Sequence, residues 1–120
     1  IRDRVKSYVS VVLLETMTYE GGAHPLNYVK GITLNAVGKV VTLADLKAAM
    51  PSLSVEALRD AAARECTARH ISTEEAEKIT EFPKEFYIGN DGHLYFIFQQ
   101  YDIAPYSEGW IMADMGLFPF

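Results

Sequence analysis

Cysteine is nearly absent from this chain: Cys66 stands alone, which rules out an internal disulfide. It falls in a helical stretch, and His70, four residues on, is the nearest candidate to activate it. A reactive thiol needs a basic neighbourhood, so Cys66 reads as a small buried hydrophobe rather than a nucleophile. Long apolar runs are missing as well. The longest, "VSVVLL" at 9–14, is interrupted by Ser10 and ends at Glu15, well short of the ~20 residues a membrane helix needs. Positive charge is scarce, with 11 Lys and Arg against 16 Asp and Glu and a net charge of −5. That excludes a basic footprint for nucleic acid and favours steering of a cationic partner, with the usual salt dependence.

Signatures of chemistry are lacking too. There is no HExxH, no cysteine pair and no GxSxG elbow. "GNDGH" at 89–93 lacks the remaining acidic ligands of a calcium loop. Gly21, Gly22 and Gly31 have no strand–GxGxxG–helix context that would cradle a phosphate. No catalytic residue, cofactor or metal is assigned on this reading. Repeats and low-complexity tracts are absent, and the chain opens on Ile1 without a charged-then-apolar leader. It is expected to be one domain over residues 1–120 and a fragment of a longer protein.

What is present is an ordinary globular balance over 120 residues, 49% hydrophobic and 22% charged, with six Phe, seven Tyr and one Trp for bulky core contacts. Residues 4–19, "RVKSYVSVVLLETMTY", are rich in β-branched and aromatic side chains and predict a long strand covered on both faces near its middle. "EGGAHP" is a turn, and "LNYVKGITLN" predicts a second strand returning antiparallel. Thr42, with Asp45 three residues later, predicts a helix start, with Leu43, Leu46 and Met50 as its apolar stripe and Pro51 as its stop. Ser54 caps a helix expected over about 55–69, burying Val55, Leu58, Ala62 and Cys66. Ser72 and Glu75 predict a capping box for a short third helix ending near Thr80. "EFYIGNDGHLYFIFQQ" reads as a hairpin turning at "GNDG", with Leu94, Phe96 and Phe98 facing one way and Tyr95 and Ile97 the other. "WIMADM" is the last strand, with Trp110 in the core. The fold class is therefore α+β: an antiparallel sheet of about five strands with a layer of two to three helices inserted between strands 2 and 3.

The candidate binding residues lie in "QQYDIAPYSEGW", residues 99–110, where proline and glycine interrupt a dense set of rings. Tyr101, Pro105 and Tyr106 are either presented to a partner or folded over a sheet edge, with Tyr101 on the core side. Among the histidines, His24 stands out between two glycines and Pro25, which specify its position tightly. It is a candidate polar site, and the structural alternative is a turn histidine bonding neighbouring backbone. Asp91 and His93 read as hairpin residues.

"YEGGAH" at 19–24, "ITLNAVGKVVTLADL" at 32–46 and "FYIGNDGHLYFIFQQYDIAPYSEG" at 86–109 together resemble the RsiV-like C-terminal domain family over most of the chain. The helical middle is less distinctive, and Ser107 stands where the family motif often carries alanine. The resemblance implies an extracytoplasmic location in bacteria, as a secreted or membrane-anchored ectodomain. It also implies a non-catalytic binding or sensing module, in the manner of the lysozyme-sensing ectodomain of an anti-sigma factor. Carried over, it places partner contacts on Ile103, Pro105 and Tyr106, with Gly109 allowing a tight backbone path. The implied partner is a cationic protein such as lysozyme, or cell-wall glycan. One alternative is an accessory domain of a peptidoglycan-modifying enzyme, and a second is a hydrolase or metal-binding domain using His24.

Overall fold

The structure, a computed structural model, describes residues 8–17, 26–99 and 110–119. Strands β1 (Val9–Met17) and β2 (Leu26–Leu34) pair antiparallel from Val9 opposite Leu34 to Met17 opposite Leu26. After a turn at Asn35–Gly38, the chain reaches helix α1 (Leu43–Ala49), helix α2 (Val55–Ala68) and the single turn α3 (Glu74–Glu77). Strands β3 (Glu85–Ile88), β4 (His93–Phe98) and β5 (Ile111–Leu117) complete an antiparallel sheet in the order β3-β4-β5. The class is α+β, with five antiparallel strands and the helices between the second and third. The strands divide into two sheets rather than one.

The helix ends follow from local chemistry. Thr42 and Asp45 form a reciprocal capping box: the Asp45 amide donates to Thr42 Oγ1 at 3.3 Å and the Thr42 amide to Asp45 Oδ2 at 2.9 Å. Ser54 Oγ accepts from the Ala57 amide at 3.0 Å and starts α2. The expected box at Ser72 and Glu75 is not formed. Ser72 Oγ instead accepts from the Glu74 amide two residues on, and the cap residue Thr73, with ψ near 1° rather than extended, donates its hydroxyl to Glu77 Oε2 at 2.7 Å. Along α2 the buried side is Leu58, Ala61, Ala62 and Cys66, while Val55 is only half-buried. His70, with φ of 61°, breaks the helix in the left-handed region.

The core lies between α1, α2 and the inner face of the three-stranded sheet. Leu46, Leu58, Ala62, Cys66, Leu94, Phe96, Ile111 and Ala113 are fully buried there. Phe96 is central, with the rings of Phe82 and Phe86 at 5.0 and 5.9 Å. Trp110, expected in the core, is half-buried immediately before β5.

Why there are two sheets is visible at Gly31. A Cβ there would collide with the carbonyl of Phe86, so β2 crosses β3 too closely for a side chain. At such a crossing β2 cannot pair with β3 along its length, and side chains take over. Gln99 clamps Val29, accepting from its amide at 2.8 Å and donating to its carbonyl at 2.7 Å. Glu85, only 6% exposed, accepts from the Gly31 amide at 3.0 Å and from the Tyr28 hydroxyl at 2.9 Å. Ser10 Oγ accepts from the Ile88 amide at 2.9 Å and bonds Thr33 Oγ1 at 2.6 Å. Buried backbone groups are thereby satisfied where no ladder can form.

Candidate functional site

The second hairpin sets out a cluster of rings and carboxylates on the outer face of the three-stranded sheet. The turn between β3 and β4 closes with the Gly89 amide on the His93 carbonyl and the Gly92 amide on the Gly89 carbonyl, both at 2.9 Å. Gly92, at φ 83°, supplies the left-handed residue this turn requires. The resulting register places Tyr87 directly opposite Tyr95. Because side chains alternate along a strand, both rings face away from the core that Leu94 and Phe96 enter. Their centroids are 5.0 Å apart and their planes 15° from parallel, and the His93 ring lies 6.2 Å from that of Tyr95. All three are half-buried.

Two carboxylates flank these rings. Asp91, in the turn, accepts from the Tyr95 hydroxyl at 2.6 Å and from the His93 amide at 3.0 Å. A Cβ on Gly89 would approach Asp91 Oδ1 to 2.8 Å and Tyr95 Cε2 to 3.0 Å, so glycine leaves the room these groups occupy. Asp114 comes from β5, where the pairing with β4 shifts register between His93 and Tyr95. It lies 2.8 Å from His93 Nδ1 and accepts from the Gly116 amide at 2.8 Å. The side chains of His93 and Asp114 are 32% and 47% exposed, so the pair is open to solvent. Tyr87 donates to Met112 Sδ at 3.3 Å, which ties the ring to β5.

The electrostatics follow from these bonds. The Tyr95 hydroxyl and the His93 amide hold the Asp91 carboxyl below its ordinary range. The same bond pushes the Tyr95 phenol well above the ordinary tyrosine range. Partial burial, and then Asp91 and Asp114, raise Tyr87. The hydrogen bond to Asp114 raises His93. At neutral pH this face therefore offers two neutral phenol rings beside the Asp91 carboxylate, with His93 held toward its protonated form by Asp114. Such an arrangement binds donors and cations; its phenols are held against ionisation and are unsuited to act as bases. Among the described residues no group of three or more His, Cys, Asp or Glu is placed to hold a metal ion. Elsewhere, a shallow cleft is lined by Lys78, Ile79, Phe82, Lys84 and Phe98. There the Phe82 ring already carries Lys47 Nζ at 5.0 Å.

His24, Ile103, Pro105, Tyr106 and Gly109, singled out in the sequence, lie outside the described residues, as does Tyr101. Asp91 and His93 are hairpin residues as expected, but they also join a larger cluster. Sequence reasoning missed Tyr87, Met112 and Asp114. The hairpin was legible but its register was not: a loop of all four residues "GNDG" would set Tyr87 against Leu94, whereas closure of Gly89 on His93 sets it against Tyr95. The meeting of Asp114 with His93 depends on the register shift in β5 and had no local signal.

The family described as "Protein of unknown function (DUF3298)" matches residues 39–115, more than half of the chain. The crystal structure of a DUF3298 family protein from Pseudomonas aeruginosa PAO1 superposes with a TM-score of 0.73 at 18% identity, covering 95% of this chain and 54% of that one. This likeness concerns the fold, and the chain spans about half the length of that relative. No curated protein matches the chain.

Proposed function

The chain belongs to the DUF3298 family, and from that premise we propose that it is a non-catalytic, RsiV-like binding or sensing module. It acts outside the cytoplasm and recognises a cationic, wall-associated protein such as lysozyme. The observation that carries the reading is the outer face of the second hairpin, where Tyr87, Tyr95 and His93 lie between Asp91 and Asp114. Rigid aromatic area with flanking carboxylates is the composition of a contact surface for a positively charged protein. The net charge of −5 adds long-range attraction of the same sign preference. Kinship supplies the remainder: the RsiV-like resemblance is the ground for the extracytoplasmic location and for lysozyme.

The test is a titration of the folded chain with a cationic lysozyme at low and high salt. Binding at low salt that weakens as salt rises is the expected result. No binding at low salt removes the lysozyme reading.

A further inference from the structure

We infer that the Tyr87–Tyr95–Asp91 face is an arginine-docking surface: it takes the guanidinium group of a partner protein. The inference rests on the binding reading above and names the chemistry that the partner must present.

Three observations converge. First, the two rings are stacked on each other, 5.0 Å apart and 15° from parallel, with His93 6.2 Å from Tyr95, and both are half-exposed. A planar cation can extend this stack at Tyr87, away from His93, and guanidinium stacks on aromatic faces where a compact, strongly hydrated ammonium does not. Second, the Tyr95 hydroxyl donates a hydrogen bond to Asp91 Oδ2 at 2.6 Å. That bond fixes the orientation of the ring on which Tyr87 stacks and holds the carboxylate beside the pair. Third, the acceptors are in place. Asp91 uses one contact on Oδ1, from the His93 amide, and one on Oδ2, from Tyr95. A carboxylate has about four acceptor positions, so Asp91 can still receive the paired N–H groups of a guanidinium fork.

Charge complementarity commits the site to a cation. Among the described residues, His93 is the ion-pair partner of Asp114 and no Lys or Arg pairs with Asp91 or Asp114. Arg64 on α2 reaches the Asp114 backbone carbonyl at 3.4 Å rather than its carboxylate. The contrast with Phe82 is direct, because that ring already carries the chain's own Lys47. An occupant bearing arginine meets all three features at once; a neutral glycan would use the rings and leave the fixed charge of Asp91 unmatched.

The experiment is calorimetric titration of the folded chain with tri-arginine and tri-lysine peptides. Tri-arginine is expected to bind at least about tenfold more tightly. Tyr87→Leu and Asp91→Asn should each weaken tri-arginine at least about fivefold, while Glu56→Gln, an exposed carboxylate on α2, leaves it unchanged. Equal affinities for the two peptides, or an equal loss in Glu56→Gln, would overturn the inference. Should Tyr87→Leu fail to fold, Asp91→Asn decides alone, since it keeps the side chain's shape, with its oxygen accepting from the His93 amide and its NH2 donating to the Tyr95 hydroxyl, which can turn to accept. The same variants are then titrated with lysozyme. Unchanged lysozyme binding by Tyr87→Leu and Asp91→Asn sinks the docking site and spares the binding module. Arginine selectivity without lysozyme binding sinks the lysozyme reading and spares the docking site.

Discussion

At Gly31 one missing methyl group allows β2 to cross β3. Gly31→Ala would drive a side chain into the Phe86 carbonyl, which is backbone and cannot step aside. Overpacking of this kind costs about 3 kcal/mol, to be read as a lowered urea midpoint. Glu85 acts at the same crossing. Glu85→Ala strips the acceptor from the Gly31 amide and the Tyr28 hydroxyl and should cost about 1–3 kcal/mol, the penalty of leaving a donor unmet inside the fold. His93 sets a pH dependence. Its folded pKa is raised by Asp114, so its stabilising pair is fully present below 6.5, the ordinary histidine value, and is lost as pH climbs through the folded pKa. Asp91 is lowered and behaves oppositely, contributing above 3.8 and losing its contribution as pH falls through the folded pKa. Stability measured against pH should fall across the neutral range in wild type, and Asp114→Asn should flatten that fall while leaving the acid limb in place.

At the scale of elements, the helices are specified by their ends and stripes. Thr42→Ala should remove one arm of the capping box on α1 and cost about 1 kcal/mol. Leu58→Ala on α2 opens a cavity against fully buried neighbours and should cost about 2–5 kcal/mol. Thermal denaturation of the two variants separates a cap from a core contact. These features were legible because each depends on residues three or four apart. The third helix was misread at its start because Ser72 and Glu75 satisfy the pattern while only one turn of helix follows. The "GNDG" turn likewise announced the second hairpin, although neither the register that brings Tyr87 to Tyr95 nor the arrival of Asp114 was announced by it.

For the molecule as a whole, β1 is the exposed margin. Val29, Gly31 and Thr33 direct their backbone groups away from β1, toward Gln99, Glu85 and Val41. In an antiparallel ladder their partners Leu14, Val12 and Ser10 must then turn their own backbone groups outward. Val11 and Leu14 are 48% and 55% exposed on opposite faces of the same strand, so the expected cover on both faces of its middle is incomplete. Among the described residues no further strand pairs with this apolar edge, and an unpaired edge of that kind is prone to pair with another chain. Leu14→Lys should therefore lower concentration-dependent self-association in light scattering, with the unfolding midpoint little changed. The class and order of elements, the caps of the first two helices and the turn of the second hairpin could be read from the chain because short-range periodicity and sterics dictate them. The splitting of the strands into two sheets, the Gln99 clamp on Val29 and the meeting of His93 with Asp114 could not. They join groups 70 and 21 residues apart, and such partners are chosen only when the layers pack.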